Sequence, residues 1–204
     1  MRSSGCILIE TQAAKPAGRS SSSFGTLAPV PFITTSHWFI MPTVTLREIS
    51  SDNVRTICRL AVRPEQERLV ATNAFSLAEA LFAKEAWYRA ICADEQPVGF
   101  VMLWDDTLNT VVQHKPEVYL WRLMVAAPFQ GQGIGKRTLR LILNHVLSRP
   151  GISRFYTSYV PGEASLAHFY LSFGFAPNGE IDEDGEVVIE YPLVPGAAAQ
   201  AVHA

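Results

Sequence analysis

Cysteine is scarce in this chain. There are three in 204 residues, Cys6, Cys58 and Cys92, an odd and scattered set with no pair at metal-ligand spacing. That excludes a disulfide-stapled scaffold and points to a reducing compartment, so a cytoplasmic location is expected. Cys58 and Cys92 fall on apolar positions and read as buried, inert thiols. Long apolar runs are also missing. No stretch reaches the roughly 20 residues that cross a bilayer as a helix, so no membrane partner is expected. Neither sign of charge dominates. Beyond the first 40 residues, 14 Lys and Arg stand against 18 Asp and Glu. This mildly acidic balance disfavours a nucleic-acid partner and is compatible with a cationic small molecule. His114, His145 and His168 show no ligand spacing, so no metal is expected. There is no internal repeat.

The chain is long enough for one domain with a full core. Its 48% hydrophobic and 18% charged residues are an ordinary globular balance. Residues 1–40 differ from the rest: a serine-rich run at 19–23 is followed by proline and small residues without periodicity. They lack an amphipathic arginine helix and the arrangement of a secretory signal. They are expected to be a disordered or non-native extension, with Met41 standing directly before the first strand-like stretch as a candidate start. Residues 195–204 read as a flexible small-residue tail, which leaves 41–194 as the domain.

The stretch that organises the domain is 118–149, VYLWRLMVAAPFQGQGIGKRTLRLILNHVLSR. Its first eight residues are almost continuously apolar, as befits a strand covered on both faces. Leu139, Ile142, Leu143, Val146 and Leu147 then recur at helical spacing. Between them lies Gln130-Gly131-Gln132-Gly133-Ile134-Gly135. Glycine permits positive φ and close backbone approach. The first turn of a helix leaves N–H groups unpartnered and favours negative charge. Together they make a phosphate cradle. A dinucleotide fingerprint from Gly131 would need glycine at Lys136, and a P-loop ending in Gly135-Lys136 would need glycine at Gln130 and Ser or Thr at Arg137. Both fail, leaving the pattern Q-x-x-G-x-G.

Taken in order, 43–49 alternates as a first strand. A helix capped by Ser51 or Asp52 runs through Val54, Ile57, Cys58, Ala61 and Val62 and ends at Pro64. A loop is expected over 64–75, then a helix opened by a capping box at Ser76 and Glu79, through Leu81, Phe82 and Tyr88. Residues 91–93 and 98–104 form a hairpin, 118–126 the central strand and 152–160 a parallel strand. A helix over 163–172 and a last hairpin of 175–181 with 187–193 complete the order β-α-α-β-β-β-α-β-α-β-β. That is an α/β (α+β) order, for which the family resemblance given next implies one mixed, twisted sheet of six to seven strands with helices on both faces.

The Q-x-x-G-x-G loop resembles the acyl-CoA pyrophosphate loop of the GCN5-related N-acetyltransferases, the GNAT superfamily. A second motif, SLAHFYLSFGF at 165–175, is similar to that superfamily's F-Y-x-x-x-G-F segment. The resemblance covers roughly 42–194. A narrower one, to bacterial spermine/spermidine N-acetyltransferases, rests on Pro64-Glu65-Gln66, on Val70-Ala71-x-Asn73-x-x-Ser76-Leu77-Ala78-Glu79-Ala80, on Trp121-Arg122-Leu123-Met124-Val125, and on Gly179-Glu180 with Asp184-Gly185-Glu186-Val187.

The resemblance implies acetyl transfer from acetyl-CoA to a primary amine by direct attack, with a small-molecule amine as substrate and a homodimer left open. It implies that Tyr170 protonates the leaving thiolate. Backbone groups of Leu123 and Val125 would hold the pantetheine arm, and Gln130, Gly131, Gly133, Gly135 and Lys136 the pyrophosphate. Glu117 is the candidate base, with Asp105 and Glu67 behind it. Glu163 stands where many members carry an Asn that contacts the cofactor. A protein N-terminus or an aminoglycoside as acceptor, or a non-catalytic acyl-CoA-binding module, are the alternatives.

Overall fold

The computed structural model describes residues 42–109, 115–162 and 165–193. The expected extension at 1–40, the tail at 195–204, Met41, Cys6, His114 and Glu163 lie outside the described residues.

The strands are β1 (Val44–Arg47), β2 (Ala86–Ala93), β3 (Gln96–Asp105), β4 (Glu117–Val125), β5 (Arg154–Tyr159), β6 (Ala176–Ile181) and β7 (Val187–Tyr191). The helices are α1 (Val54–Arg59), α2 (Asn73–Ala80), α3 (Ile134–Leu147) and α4 (Ala167–Leu171). All seven strands join one sheet in the order β1-β2-β3-β4-β5-β7-β6. Every neighbouring pair is antiparallel except β4 and β5, which run parallel. This is the mixed sheet and the element order that the sequence predicts.

The apolar run in β4 has the consequence its pattern demands, burial on both faces. Val118, Leu120, Leu123 and Val125 share one core cluster with Leu139, Ile142, Leu143 and Val146 of α3 and Phe169 and Tyr170 of α4. Tyr119, Trp121 and Met124 share the other with Ile57 of α1, against which Leu77 and Ala80 of α2 pack. Alternate residues of one strand thus weld the two layers, each large apolar side chain contributing about 1.5–3 kcal/mol by burial. Between β3 and β4 the register slips: Met102 faces Arg122 but Leu103 faces Leu120, so Trp121 is the extra residue of a bulge.

Local choices differ from the sequence reading where burial overrides propensity. Asn53 heads α1 rather than Ser51 or Asp52, and its side chain turns back, accepting from the Ser50 amide and donating to the Glu48 carbonyl, both at 2.9 Å. That helix stops at Arg59, short of Val62. Residues 64–69 form a 3₁₀ turn rather than an open loop. The second helix starts earlier than Ser76: Thr72 is its N-cap, Oγ1 accepting from the Phe75 amide at 3.3 Å. Ser76 is buried inside the helix and donates to the Thr72 carbonyl. Both hydroxyl residues suit an N-cap. Asn73 decides between them, since its buried side chain reaches the Ile57 carbonyl at 2.8 Å when the helix starts at Thr72. The helix ends at Ala80, leaving Phe82 exposed and giving Tyr88 to β2. The helix carrying Tyr170 is also shorter than expected.

Candidate active site

The parallel strands β4 and β5 share a ladder only over Glu117–Tyr119 and Arg154–Tyr156. Beyond that they part. Side chains replace the ladder: Thr157 donates to the Leu120 carbonyl at 3.0 Å, and Gln130 donates to the Val125 carbonyl at 2.9 Å. Between these two carbonyls one edge of β4 has no paired strand among the described residues and can pair with a ligand through its backbone. Leu123 and Val125, the residues nominated to hold a pantetheine arm, lie in this stretch, buried in the sheet. A crevice of this kind, where neighbouring strands diverge, is where sheet proteins of mixed topology place ligands.

The glycine loop closes the far end of the crevice. Gly131 and Gly133 take positive φ, 78° and 70°. Gly133 is the N-cap of α3 in the left-handed region and offers no side-chain acceptor to the first turn. No acidic residue stands in that turn, and Lys136 is exposed within it. Gly135 is buried. An anion can thus meet backbone N–H groups and a cation together. Arg137 braces the loop, its guanidinium donating to the carbonyls of Pro42, Gln132 and Gly133. Gln130, nominated as a phosphate contact, is turned inward instead. Besides its bond to Val125, its amide pairs reciprocally with that of Gln66, at 2.8 and 3.3 Å. It shapes the loop from behind.

Tyr170 lies on α4, fully buried, on the α3 face of the sheet. The F-Y-x-x-x-G-F spacing now has a physical account. Gly174 adopts φ 94°, which turns the chain back after the helix. The Phe175 amide then bonds the Tyr170 carbonyl at 3.3 Å, and the two rings meet edge to face with centroids 5.5 Å apart. Phe169 contacts the tyrosine ring as well, at 5.1 Å. The motif fixes one tyrosine in one orientation. His168 is exposed.

On the opposite face, Tyr119 and Ser158 approach within 3.0 Å, and Ser158 donates to Glu186 at 2.7 Å. All three are buried. Burial pushes the Glu186 carboxyl above the usual carboxylate range; the Ser158 hydroxyl pulls it down, Asp182 and Asp184 add to the rise, and Arg122 opposes it. Arg122 is itself buried and pairs with Glu79 of α2.

A family model described as "Acetyltransferase (GNAT) family" matches residues 58–175. The chain belongs to the GNAT acetyltransferase family. It is 26% identical over 149 residues to the spermine/spermidine N(1)-acetyltransferase of Bacillus subtilis (strain 168), covering 72% of this chain and 96% of that protein. Among solved structures, the fold is similar to aminoglycoside acetyltransferase AAC(6')-Ib in complex with coenzyme A, with TM-score 0.56, 16% identity and coverage of 72% of this chain and 93% of that one. It is similar too to Arabidopsis thaliana Naa50 bound to a bisubstrate analogue, with TM-score 0.53, 22% identity and coverage of 73% and 98%.

The acetyltransferase does not gather all the nominated carboxylates. Glu117 is at the closed end of the β4–β5 ladder, about 7 Å along the strand before Tyr119, with Arg154 at 3.8 Å from its carboxylate. Asp105 is fully buried but engaged, accepting from the Thr107 amide and hydroxyl and pairing with Arg149. Glu65 and Glu67 are exposed on the 3₁₀ turn. Tyr119, Ser158, Arg122 and Glu186 were not nominated as site residues. Their signals were faint: a serine beside a threonine in a strand, and a glutamate directly after Asp184-Gly185 that only a turn could bring inward. Among the described residues, no helix of this acetyltransferase is long and apolar enough to cross a membrane.

Proposed function

We propose that the enzyme transfers an acetyl group from acetyl-CoA to a primary amine of a polyamine such as spermidine or spermine, by direct attack with both substrates bound. Gly131, Gly133 and Gly135 and the first turn of α3, with Lys136, fit the pyrophosphate. The open edge of β4 at Leu123 and Val125 fits the amide-bearing arm, and Gln130 and Arg137 keep the loop in shape. Tyr170 supplies a proton to the departing thiolate; a phenol near pKa 10 is protonated at neutral pH.

One observation carries the polyamine reading. Several of the residues behind the narrower resemblance are tied to the strand and the loop that form the crevice. Gln66 pairs with Gln130, Asn73 bonds Ile57 and lies 3.7 Å from the Met124 sulfur, and Glu79 pairs with Arg122. These contacts tie residues 64–80 against β4 and the glycine loop. A linear polycation would lie along this region, with Glu65 and Glu67 exposed at its rim. The match to the Bacillus enzyme over 96% of its length supports the same reading.

The test compares spermidine, a monoamine of equal nucleophilicity and a short peptide, following free-thiol release from acetyl-CoA at low and high salt. Spermidine should show the highest kcat/KM, and its lead should shrink as salt rises, because charge pairing at an exposed rim is screened. Equal or poorer turnover of spermidine rejects the polyamine and leaves acetyl transfer in place.

A further inference from the structure

We propose that Glu186 draws the proton off the incoming ammonium through the hydroxyls of Ser158 and Tyr119. The inference rests on the reading that the acceptor is a primary amine, not on which amine it is.

The hydrogen-bond direction fixes the order. Ser158 has one hydroxyl proton and gives it to Glu186 at 2.7 Å. The 3.0 Å contact between Ser158 and Tyr119 must then be donated by Tyr119. What the phenol can offer a further partner is acceptor lone pairs, the form that receives an ammonium proton. Tyr119 is the last β4 residue paired with β5, so the relay opens where the crevice begins. It runs on the α1 and α2 face, whereas Tyr170 lies on the α3 face. The relay and Tyr170 thus approach the crevice from the two faces of the sheet.

The turn before β7 is built to hold Glu186 inward. Asp182 Oδ1 accepts from the amides of Asp184 and Glu186 at 3.0 and 2.9 Å, and the Asp182 amide bonds the Glu186 carbonyl at 3.0 Å. Among the described residues, the charged and titratable groups around the carboxylate are Asp182 and Asp184 of its own turn, Arg122 of β4, Tyr119 of β4 through Ser158, and, behind Arg122, Glu79 of α2. Desolvation makes this carboxylate a stronger base than a surface glutamate.

In the step, the ammonium gives one proton to Tyr119 Oη as Tyr119 passes its own to Ser158 Oγ and Ser158 passes its own to Glu186 Oε2. The freed nitrogen lone pair forms the C–N bond to the thioester carbonyl. The C–S bond breaks, Tyr170 protonates the sulfur, and the second nitrogen proton restores Tyr170. Glu186 returns its proton to water. The sum is amide, thiol and one proton from ammonium and thioester.

An amine with pKa near 10 is about one part in a thousand neutral at pH 7, so the relay matters there and becomes dispensable as pH nears 10. Glu186→Gln keeps the shape and an acceptor for Ser158. It should lower kcat/KM about a hundredfold at pH 7, with the deficit closing steadily toward pH 9.5 and acetyl-CoA affinity unchanged by calorimetry. Tyr119→Phe should show the same pH pattern, and the double variant should be no worse than either single one. A deficit constant across pH, or E186Q within twofold of wild type at pH 7, overturns the relay. Wild-type turnover across the amine panel tests the acceptor reading separately. The variant ratio is taken on the best amine, so failure of spermidine leaves this test standing.

Discussion

The carboxylate of Glu79 meets the guanidinium of Arg122 at 3.2 Å, across 43 residues of chain. Arg122 is 1% exposed, also donates to the Trp121 carbonyl, and lies 5.2 Å from the Trp121 ring centroid. A buried guanidinium tolerates the loss of its partner poorly, because its desolvation is no longer offset; fully buried pairs lose about 3–5 kcal/mol. Glu79 keeps 23% side-chain exposure, which moderates the effect. Glu79→Leu should destabilise by about 2 kcal/mol and Glu79→Gln by less, as read from urea midpoints. No shift in either variant would make the pair incidental.

Gly133 separates backbone strain from charge. At φ 70° and ψ 9°, Asn and Asp are the side chains that fit best after glycine. Gly133→Asn should fold normally and bind acetyl-CoA about tenfold more weakly. Gly133→Asp should bind at least a further tenfold more weakly, since it puts a carboxylate at the anion seat of α3. Calorimetry giving equal affinity for both variants would move the pyrophosphate elsewhere.

Tyr170→Phe keeps the ring contacts with Phe169 and Phe175 and removes the hydroxyl. It should lower kcat about ten- to a hundredfold, the low end of acid catalysis for a group that leaves readily, with little change in acetyl-CoA affinity. An unchanged kcat, with product release shown not to limit, would leave Tyr170 a packing residue.

His145 is a stability sensor remote from the crevice. It stacks on Trp87 with centroids 4.5 Å apart, and its buried Nε2 has no hydrogen-bond partner among the described residues. Burial holds the imidazole below its ordinary value, Arg149 and Arg89 push the same way, and Asp105 opposes them. As pH falls, the unfolded chain takes the proton first. The stability is full above about 6.5 and is lost as pH drops through that value toward the depressed folded one. His145→Phe keeps an aromatic partner for Trp87 without the titration. Its urea midpoint should fall less than wild type's between pH 7.5 and 5.5. Equal falls would assign the acid sensitivity to other groups.

Much of the fold was legible in the chain. The apolar run of β4, the helical stripe after Gly133 and the glycine before Phe175 each state a local requirement that one geometry satisfies: burial on both faces, one buried helix face, and a left-handed turn. Helix starts were less legible, because Thr72 and Ser76 are equally good caps and the contact from Asn73 to the Ile57 carbonyl chose between them.

Sequence alone therefore determined the main strands and helices, the glycine loop and the placement of Tyr170 beside its glycine, since these follow from neighbours within about ten residues. Only the tertiary structure decided which carboxylate is buried against the hydroxyls beside the crevice. Spacing made Glu117 as good a candidate as any. The parallel pairing of β4 with β5 leaves it at the closed end beside Arg154, while the turn after Ile181 carries Glu186 under Ser158 and Tyr119. The reason is desolvation: a carboxylate's character is set by what surrounds it, and here those surroundings come from strands 28 and 67 positions away in the chain.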